Sequence, residues 1–352
     1  MPVAELGSRL LPLTAACLLG AAAPVGGEIP ISWAGQRFTS AQLPEAFPER
    51  ARTAIELWKP WAAQAGFRFD LDPDARLMLA TRRAGGKGEA QLRLLLRAEK
   101  WFDDLFDPAG ADSAPAAAMI VLKDAQAHAD ALAFVGKLEP HLASWAEKAG
   151  GQELGFVLEK PLCGAFVESA PGLKEWKPDH ELLNRAVQVL LLRRAGSLPN
   201  WLAQGLAWEA ERTILGSIWC YPHRAGFVAR SEHDAWPGDL VKDLENGALA
   251  VFSIETLAAW PRGTFDAEHA RHAWGLARYL AREKKSVLGE VLEDLRAFRE
   301  KHGRTTHEDG SWELVPGYEI PAQAQAEILA KRCGDRWISE AKAWSRRNAG
   351  VR

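Results

Sequence analysis

The side chains with the clearest potential for chemistry lie in the run DHELLN, in which His180 and Glu181 are adjacent and Asn184 follows His180 by four residues. Residues four apart share one face of a helix. A His-Glu pair on a helix can supply a metal ligand and a general base for a metal-bound water. The pair alone is weak support for a site, because the chain contains a second one, His307 with Glu308.

Two helices are needed to position these side chains. We expect the first to begin with Asp179 as its N-cap, to include the apolar residues 182–192, and to end at Gly196. Pro199 is suited to the first turn of a second helix, which ends before Gly216. A turn this short makes the two helices antiparallel neighbours.

On the second helix, Gln204 is the residue that we expect to meet His180 and Asn184. Glu209 lies about 140° around the helix from Gln204, and Glu211 shares its face but is about 10.5 Å further along the axis. Neither glutamate is therefore expected to replace Gln204.

The HExx start of one helix followed by the PxWLxxGLA pattern at 199–207 resembles the gluzincin-type zinc metallopeptidases, in particular the secreted bacterial peptidase MA-like group. The resemblance covers roughly residues 77–344. It takes in a strand pair at 155–169 that flanks the cleft and a helix at 272–280 that packs behind it. It implies a gluzincin-like fold with a peptide-binding cleft.

Carried over to this chain, the resemblance makes His180 the first zinc ligand and Glu181 the general base. The second histidine is replaced by Asn184 and the glutamate ligand by Gln204. Amide oxygens are weak, neutral donors for Zn²⁺, and without the ion Glu181 has no activated water to deprotonate. We therefore expect a vestigial site with no bound cofactor, in which the two amides hydrogen-bond to His180 as a neutral polar plug.

Four further histidines are candidates for replacement ligands, namely His223, His233, His269 and His272. His269 and His272 have the i, i+3 spacing that can clip a metal ion. Their surroundings on an alanine-rich helix favour a polar helix face instead.

The order of elements predicts an α+β fold, with a small mixed sheet and helices in the N-terminal lobe and a mainly helical C-terminal lobe. Residues 28–76 are expected to form an N-terminal extension, with an irregular lead-in over 28–47 and one helix. The peptidase MA-like domain is expected at 77–345, with lobes at about 77–171 and 172–345.

Residues 1–27 read as a signal peptide, since Arg9 precedes a 14-residue apolar run that ends in small residues. This predicts export to the periplasm or the extracellular space. The remaining chain has no apolar run long enough for a membrane span.

Three cysteines far apart in the sequence follow the leader, namely Cys163, Cys220 and Cys333. Because their number is odd, at most one disulfide can form among them.

The 43 basic and 46 acidic residues nearly balance, which disfavours nucleic acid as a partner.

Three functions stay open. The first is a secreted metallopeptidase-like protein without catalysis that binds a peptide or protein or is structural. The second is an active zinc-dependent peptidase that uses His180, Glu181 and unrecognised ligands. The third is a glycan-binding module built on the 15 tryptophans, although their scatter through helical patterns favours core packing. The sequence leaves the oligomeric state open.

Overall fold

The computed structural model describes residues 27–349 except 75, 83–85, 107–114, 153, 171, 174, 221–229, 248–250, 261–265, 308–310 and 316. The expected signal peptide, apart from Gly27, and His223 lie outside the described residues.

The N-terminal half contains a seven-stranded mixed sheet. Its strands are β1 (Pro30–Trp33), β2 (Gln36–Thr39), β3 (Arg68–Leu71), β4 (Leu77–Thr81), β5 (Ala117–Leu122), β6 (Gly155–Leu158) and β7 (Cys163–Val167). Their spatial order is β2-β1-β3-β4-β5-β7-β6. The pairs β4-β5 and β5-β7 are parallel, and these three strands are buried along their whole length. Strands covered on both faces read as continuous apolar runs rather than alternating ones.

Helices cover both faces of this sheet. One face carries α1 (Glu49–Ala65), α3 (Ala125–Leu138) and α4 (Ala143–Gln152), and the other carries α2 (Gly86–Leu105) and α5 (Pro178–Ala195). Strand β5 shows the division directly: Met119 and Val121 belong to the core under α2 and α5, and Ile120 and Leu122 belong to the opposite core. Alternate residues of a strand point to opposite faces, so β5 serves two cores at once.

The described residues of the C-terminal half form mainly helices, with one hairpin among them. Its helices are α6 (Asn200–Leu215), α7 (Arg230–Glu245), α8 (Ile254–Ala258), α9 (Ala267–Glu283), α10 (Lys285–His302), α11 (Ala322–Cys333) and α12 (Trp337–Asn348). The hairpin pairs β8 (Arg304–Thr306) with β9 (Trp312–Leu314). Within the described part of the chain, no helix is long and apolar enough to cross a membrane.

Helix α6 packs very closely on α9. A Cβ atom placed on Gly205 would lie 2.5 Å from the carbonyl oxygen of Ala273 and 2.7 Å from the Cβ of Ala277. The glycine of the WLxxGLA pattern is therefore required by helix packing. Buried Glu209 accepts from Arg278 at 2.9 and 3.0 Å, which fixes the same two helices by an ion pair.

Most of the tryptophans that the structure describes are core residues. The fully or nearly fully buried ones are Trp58, Trp61, Trp201, Trp208, Trp219, Trp236, Trp260, Trp274 and Trp337. In the helical half, Trp208 packs edge-on against Trp236 with ring centroids 5.3 Å apart. Trp312 on β9 is 49% exposed. This distribution agrees with core packing as the main role of these rings.

The α+β prediction, with a mixed sheet followed by a helical half, is confirmed. The irregular lead-in expected over residues 28–47 was wrong, because β1 and β2 lie there. Together with β3 they extend the sheet beyond β4. These four-residue strands mix polar with apolar residues, and β1 begins with a proline, so they do not stand out as apolar runs.

Candidate functional site

The candidate site lies where α5 begins. The N-cap is Lys177, and Pro178 occupies the first helical position, so the prediction of Asp179 as the cap was wrong. Proline is favoured at this position because its missing N–H has no partner there in any case. His180, Glu181 and Asn184 are all buried. Helix α5 packs against the sheet, α2 and α6, and residues 180–187 are all buried, whereas Asp179 is exposed.

Glu211 of α6 is the centre of the site. Its Oε2 lies 2.8 Å from Nδ1 of His180, and its Oε1 accepts from Nδ2 of Asn184 at 2.7 Å. The backbone N–H groups of Trp219 and Cys220 donate to Oε2 at 2.8 and 3.0 Å. The side chain of Glu211 has no solvent exposure. Four N–H groups thus converge on one carboxylate, which satisfies the acceptor capacity of a buried acid side chain.

The expectation that Gln204 would meet His180 was wrong, because Glu211 lies at that place. The turn between the helices explains this. In an antiparallel pair, residues equally far from the turn face each other, and Asn184 precedes Gly196 by twelve residues just as Glu211 follows Pro199 by twelve. Gln204 is only five residues beyond Pro199 and therefore lies nearer the turn.

Gln204 joins the site indirectly through Gln188. Nε2 of Gln204 donates to Oε1 of Gln188 at 3.3 Å, and Nε2 of Gln188 donates to Oδ1 of Asn184 at 2.5 Å. A chain of side-chain hydrogen bonds therefore runs along the α5-α6 interface from Gln204 to Glu211 and His180. Among the described residues, nothing donates to the buried Oε1 of Gln204.

Glu181 is paired inside the protein. Its carboxylate accepts a short hydrogen bond from Arg185, one turn further along α5, and both side chains are almost fully buried. The same guanidinium lies 3.4 Å from Sγ of Cys220. Burial raises the pKa of Glu181, and the positive charge of Arg185 opposes that shift. The carboxylate therefore faces a fixed cation instead of solvent.

Gly155 makes room for Arg185. A Cβ atom at Gly155 would lie 2.5 Å from Nε and 2.6 Å from an Nη atom of the guanidinium. Any larger residue on this edge strand would push Arg185 away from Glu181. The ion pair between Arg185 and Glu181 therefore requires glycine at position 155, at the start of β6.

A segment at 217–220, which we name the strap, covers the site. The Trp219 ring lies 6.3 Å from the His180 ring, and the Lys177 ammonium lies 5.2 Å from the Trp219 ring on its face. The strap is held by its N–H groups on Glu211 and by Trp208, whose Nε1 donates to the carbonyl oxygen of Cys220 at 3.0 Å. Only 8% of His180 remains exposed.

The donor set does not fit a zinc ion. Asn184 turns its Nδ2 donor, rather than an electron pair, toward Glu211. Both oxygens of Glu211 are already occupied by N–H groups. In the part of the chain that the structure describes, no group of three or more His, Cys, Asp or Glu side chains is arranged to hold a metal ion.

His269 and His272 of α9 have partners of their own. His269 Nδ1 lies 3.1 Å from Asp266, and His272 Nε2 lies 3.1 Å from Asp243. Each of the two therefore has its own carboxylate partner, and they do not clip a common ion. The side chain of His233 is outside the described set.

Cys163, Cys220 and Cys333 are free and buried. Burial raises the pKa of the Cys163 and Cys220 thiols, which keeps them in the protonated, unreactive form. None of the three forms a disulfide with another, and Cys220 belongs to the strap.

Gln188, Arg185 and the strap were not expected at the site, and Glu211 was expected to lie too far along α6 to reach it. One signal was available: Glu181 and Arg185 have the i, i+4 spacing of a helical ion pair. No such local pattern marks Trp219 and Cys220, whose backbone groups do the binding.

Neither the protein-family models nor the curated proteins contain a match to this chain.

Proposed function

We propose that this protein is a secreted, metallopeptidase-like protein whose HExx helix has lost catalysis, and that it acts as a binding or structural protein of the cell envelope. The gluzincin likeness and the export rest on the sequence patterns at 180–207 and 1–27. The burial and pairing of Glu181 support the loss of catalysis.

The observation that carries the proposal is that Glu181 is buried and paired with Arg185. A general base must be able to reach a water molecule and must be ionised to take its proton. Glu181 is 1% exposed, and its carboxylate is paired with the buried guanidinium of Arg185. Its carboxylate therefore stabilises the interior and has no access to a substrate.

Glu211 supports the same conclusion from the second helix. Its carboxylate satisfies donors from α5 and from the strap, and so it connects three segments of the chain. We expected a neutral cluster of amides around His180. The cluster instead includes three ionisable side chains, those of Glu211, Glu181 and Arg185. Removing water from charged groups is costly unless each has partners, and here each has them.

The alternative of an active zinc peptidase would require the strap to open and Asn184 to be bypassed. Zinc at His180 would need two further strong ligands, and the hydrogen bonds to Glu211 would have to break. The glycan-binding alternative is weakened because the tryptophans near the site, Trp201, Trp208 and Trp219, are buried.

The test is casein hydrolysis by the purified chain with added zinc, compared with the Glu181→Gln variant. We expect equal, background rates for the two proteins and no effect of a chelator. Hydrolysis that both the chelator and Glu181→Gln abolish would show that the protein is an active metallopeptidase. A Glu313→Gln variant, changed on the exposed hairpin, controls for handling.

A further inference from the structure

A cavity opens where the turn between α5 and α6 meets the end of α8 and the segment before α11. It holds about 350 Å³ of space including its open mouth, which lies at the lower end of the range for small-molecule sites. Among its lining residues, Trp260 and Ile320 are buried, Asn200 is half-buried and Glu319 is exposed. The cavity therefore runs from the core to the surface, about 24 Å along α5 from His180.

Trp260 brings an unused hydrogen-bond donor to this cavity. The residue is 4% exposed, and its Nε1 has no acceptor within the described part of the chain. Its ring stacks on those of Trp208 and His269, with centroids 6.3 and 6.2 Å apart, so the ring edge is what remains for a ligand. A buried indole N–H normally has a hydrogen-bond partner. The missing partner points to a ligand that supplies an acceptor.

The turn that lines the cavity is also the N-terminus of α6. Its N-cap Pro199 and its first residue Asn200 both line the cavity. The first N–H groups of a helix have no carbonyl partner within it, and they carry the positive end of the helix dipole. Together with Nε1 of Trp260, they make this side of the cavity suited to a carboxylate.

Glu319 gives the cavity a negative charge. Among the described lining residues it alone is charged at neutral pH. Its carboxylate repels a simple anion, and the N-terminus of α6 opposes a simple cation. A zwitterion satisfies both, with its own carboxylate toward α6 and Trp260 and its ammonium group toward Glu319. Buried Leu198 and Ile320 offer apolar contact to a side chain.

We propose that this cavity binds a small apolar α-amino acid in its zwitterionic form. Trp260 Nε1 and the first N–H groups of α6 donate to the carboxylate of the ligand, and Glu319 accepts from its ammonium group. Binding here goes beyond the proposed function. It does not depend on whether Glu181 is catalytic, because the cavity lies at the other end of α5.

The experiment is saturation-transfer difference NMR on the purified chain with L-alanine, L-leucine and the N-acetyl and amide derivatives of each. N-acetylation removes the ammonium charge, and amidation removes the carboxylate charge. We expect at least one free amino acid to bind with a dissociation constant of about 1 mM or tighter. Each of its two derivatives should bind roughly tenfold more weakly, because each lacks one charge-assisted hydrogen bond.

Two variants separate the two ends of the ligand. Glu319→Gln should weaken binding of the free amino acid and its amide about tenfold but leave the N-acetyl derivative unchanged, because only the first two carry an ammonium group. Trp260→Phe should weaken the free amino acid and the N-acetyl derivative, because both carry the carboxylate. Glu313→Gln, changed on the exposed hairpin, should bind like the natural chain.

Circular dichroism first shows that each variant is folded, and if Trp260→Phe does not fold, Glu319→Gln alone decides. Absence of saturable binding of either amino acid would overturn the inference, as would equal binding of the free and derivatised forms. A folded Glu319→Gln protein that binds like the natural chain would do the same. Glucose bound in place of the amino acids would assign the cavity to a neutral polyol and also overturn it. Casein hydrolysis tests the proposed function separately, so the two failures are distinguishable.

Discussion

Replacing Glu211 by alanine should destabilise the protein strongly. The carboxylate accepts from His180, Asn184 and the N–H groups of Trp219 and Cys220, at distances of 2.7 to 3.0 Å. All four donors are buried. Glu211→Ala would leave each of them without its acceptor and would release the strap from α6.

The magnitude follows from the number of bonds. A buried donor that loses its partner costs about 1 to 3 kcal/mol, so four donors set an upper range of about 4 to 12 kcal/mol. Water entering the space left by the side chain recovers part of this. We therefore expect a loss of about 3 to 5 kcal/mol in the free energy of unfolding, as found when one partner of a buried charged pair is removed.

The assay is urea unfolding followed by tryptophan fluorescence and circular dichroism, with the midpoint and the slope fitted separately. Glu313→Ala is the matched control, because Glu313 is exposed, and it should change the stability by less than about 0.5 kcal/mol. If Glu211→Ala behaves like this control at an unchanged slope, Glu211 does not hold the site together and the reasoning fails.

Three further predictions concern other parts of the structure. Burial lowers the pKa of His128 from its ordinary 6.5 to about 4, so the unfolded chain binds the proton more readily. Stability should therefore fall by up to about 3 kcal/mol as the pH drops from 6.5 to 4, and His128→Leu should flatten this part of the urea stability profile. Gly205→Ala should lower the melting temperature by several degrees, since the added methyl group meets Ala273 at 2.5 Å; a normal melting curve would show that α6 and α9 can separate. Glu209→Gln should cost about 3 kcal/mol or more in urea unfolding by leaving Arg278 buried without its carboxylate, and a change below about 0.5 kcal/mol would speak against a structural ion pair.

The parts of the fold that were predictable are those with strong local signals. Strands β4 and β5 are continuous apolar runs, and glycines end α5 and α6 as expected. Strands β1 to β3 were not predictable, because each has four residues with mixed polarity. Their pairing partners decide that they are strands, and those partners are distant in the sequence.

The two adjacent helices of the site were predictable from the sequence. The residue of α6 that faces His180 and Asn184 was not. A motif alignment selected Gln204, whereas the length of the turn decides which residues face each other. Asn184 lies twelve residues before Gly196, and the residue twelve positions after Pro199 is Glu211. The roles of Trp219 and Cys220 depend on backbone N–H groups, which every residue type except proline carries, so residue identity holds no information about them.

We propose that the polar groups around Glu211 satisfy one another and hold no metal ion. Zinc content of the purified natural chain, measured by mass spectrometry after dialysis against micromolar zinc, tests it most directly. We expect well below one zinc ion per chain, and the same value for the His180→Ala variant. About one zinc ion per chain that is lost in His180→Ala would contradict it.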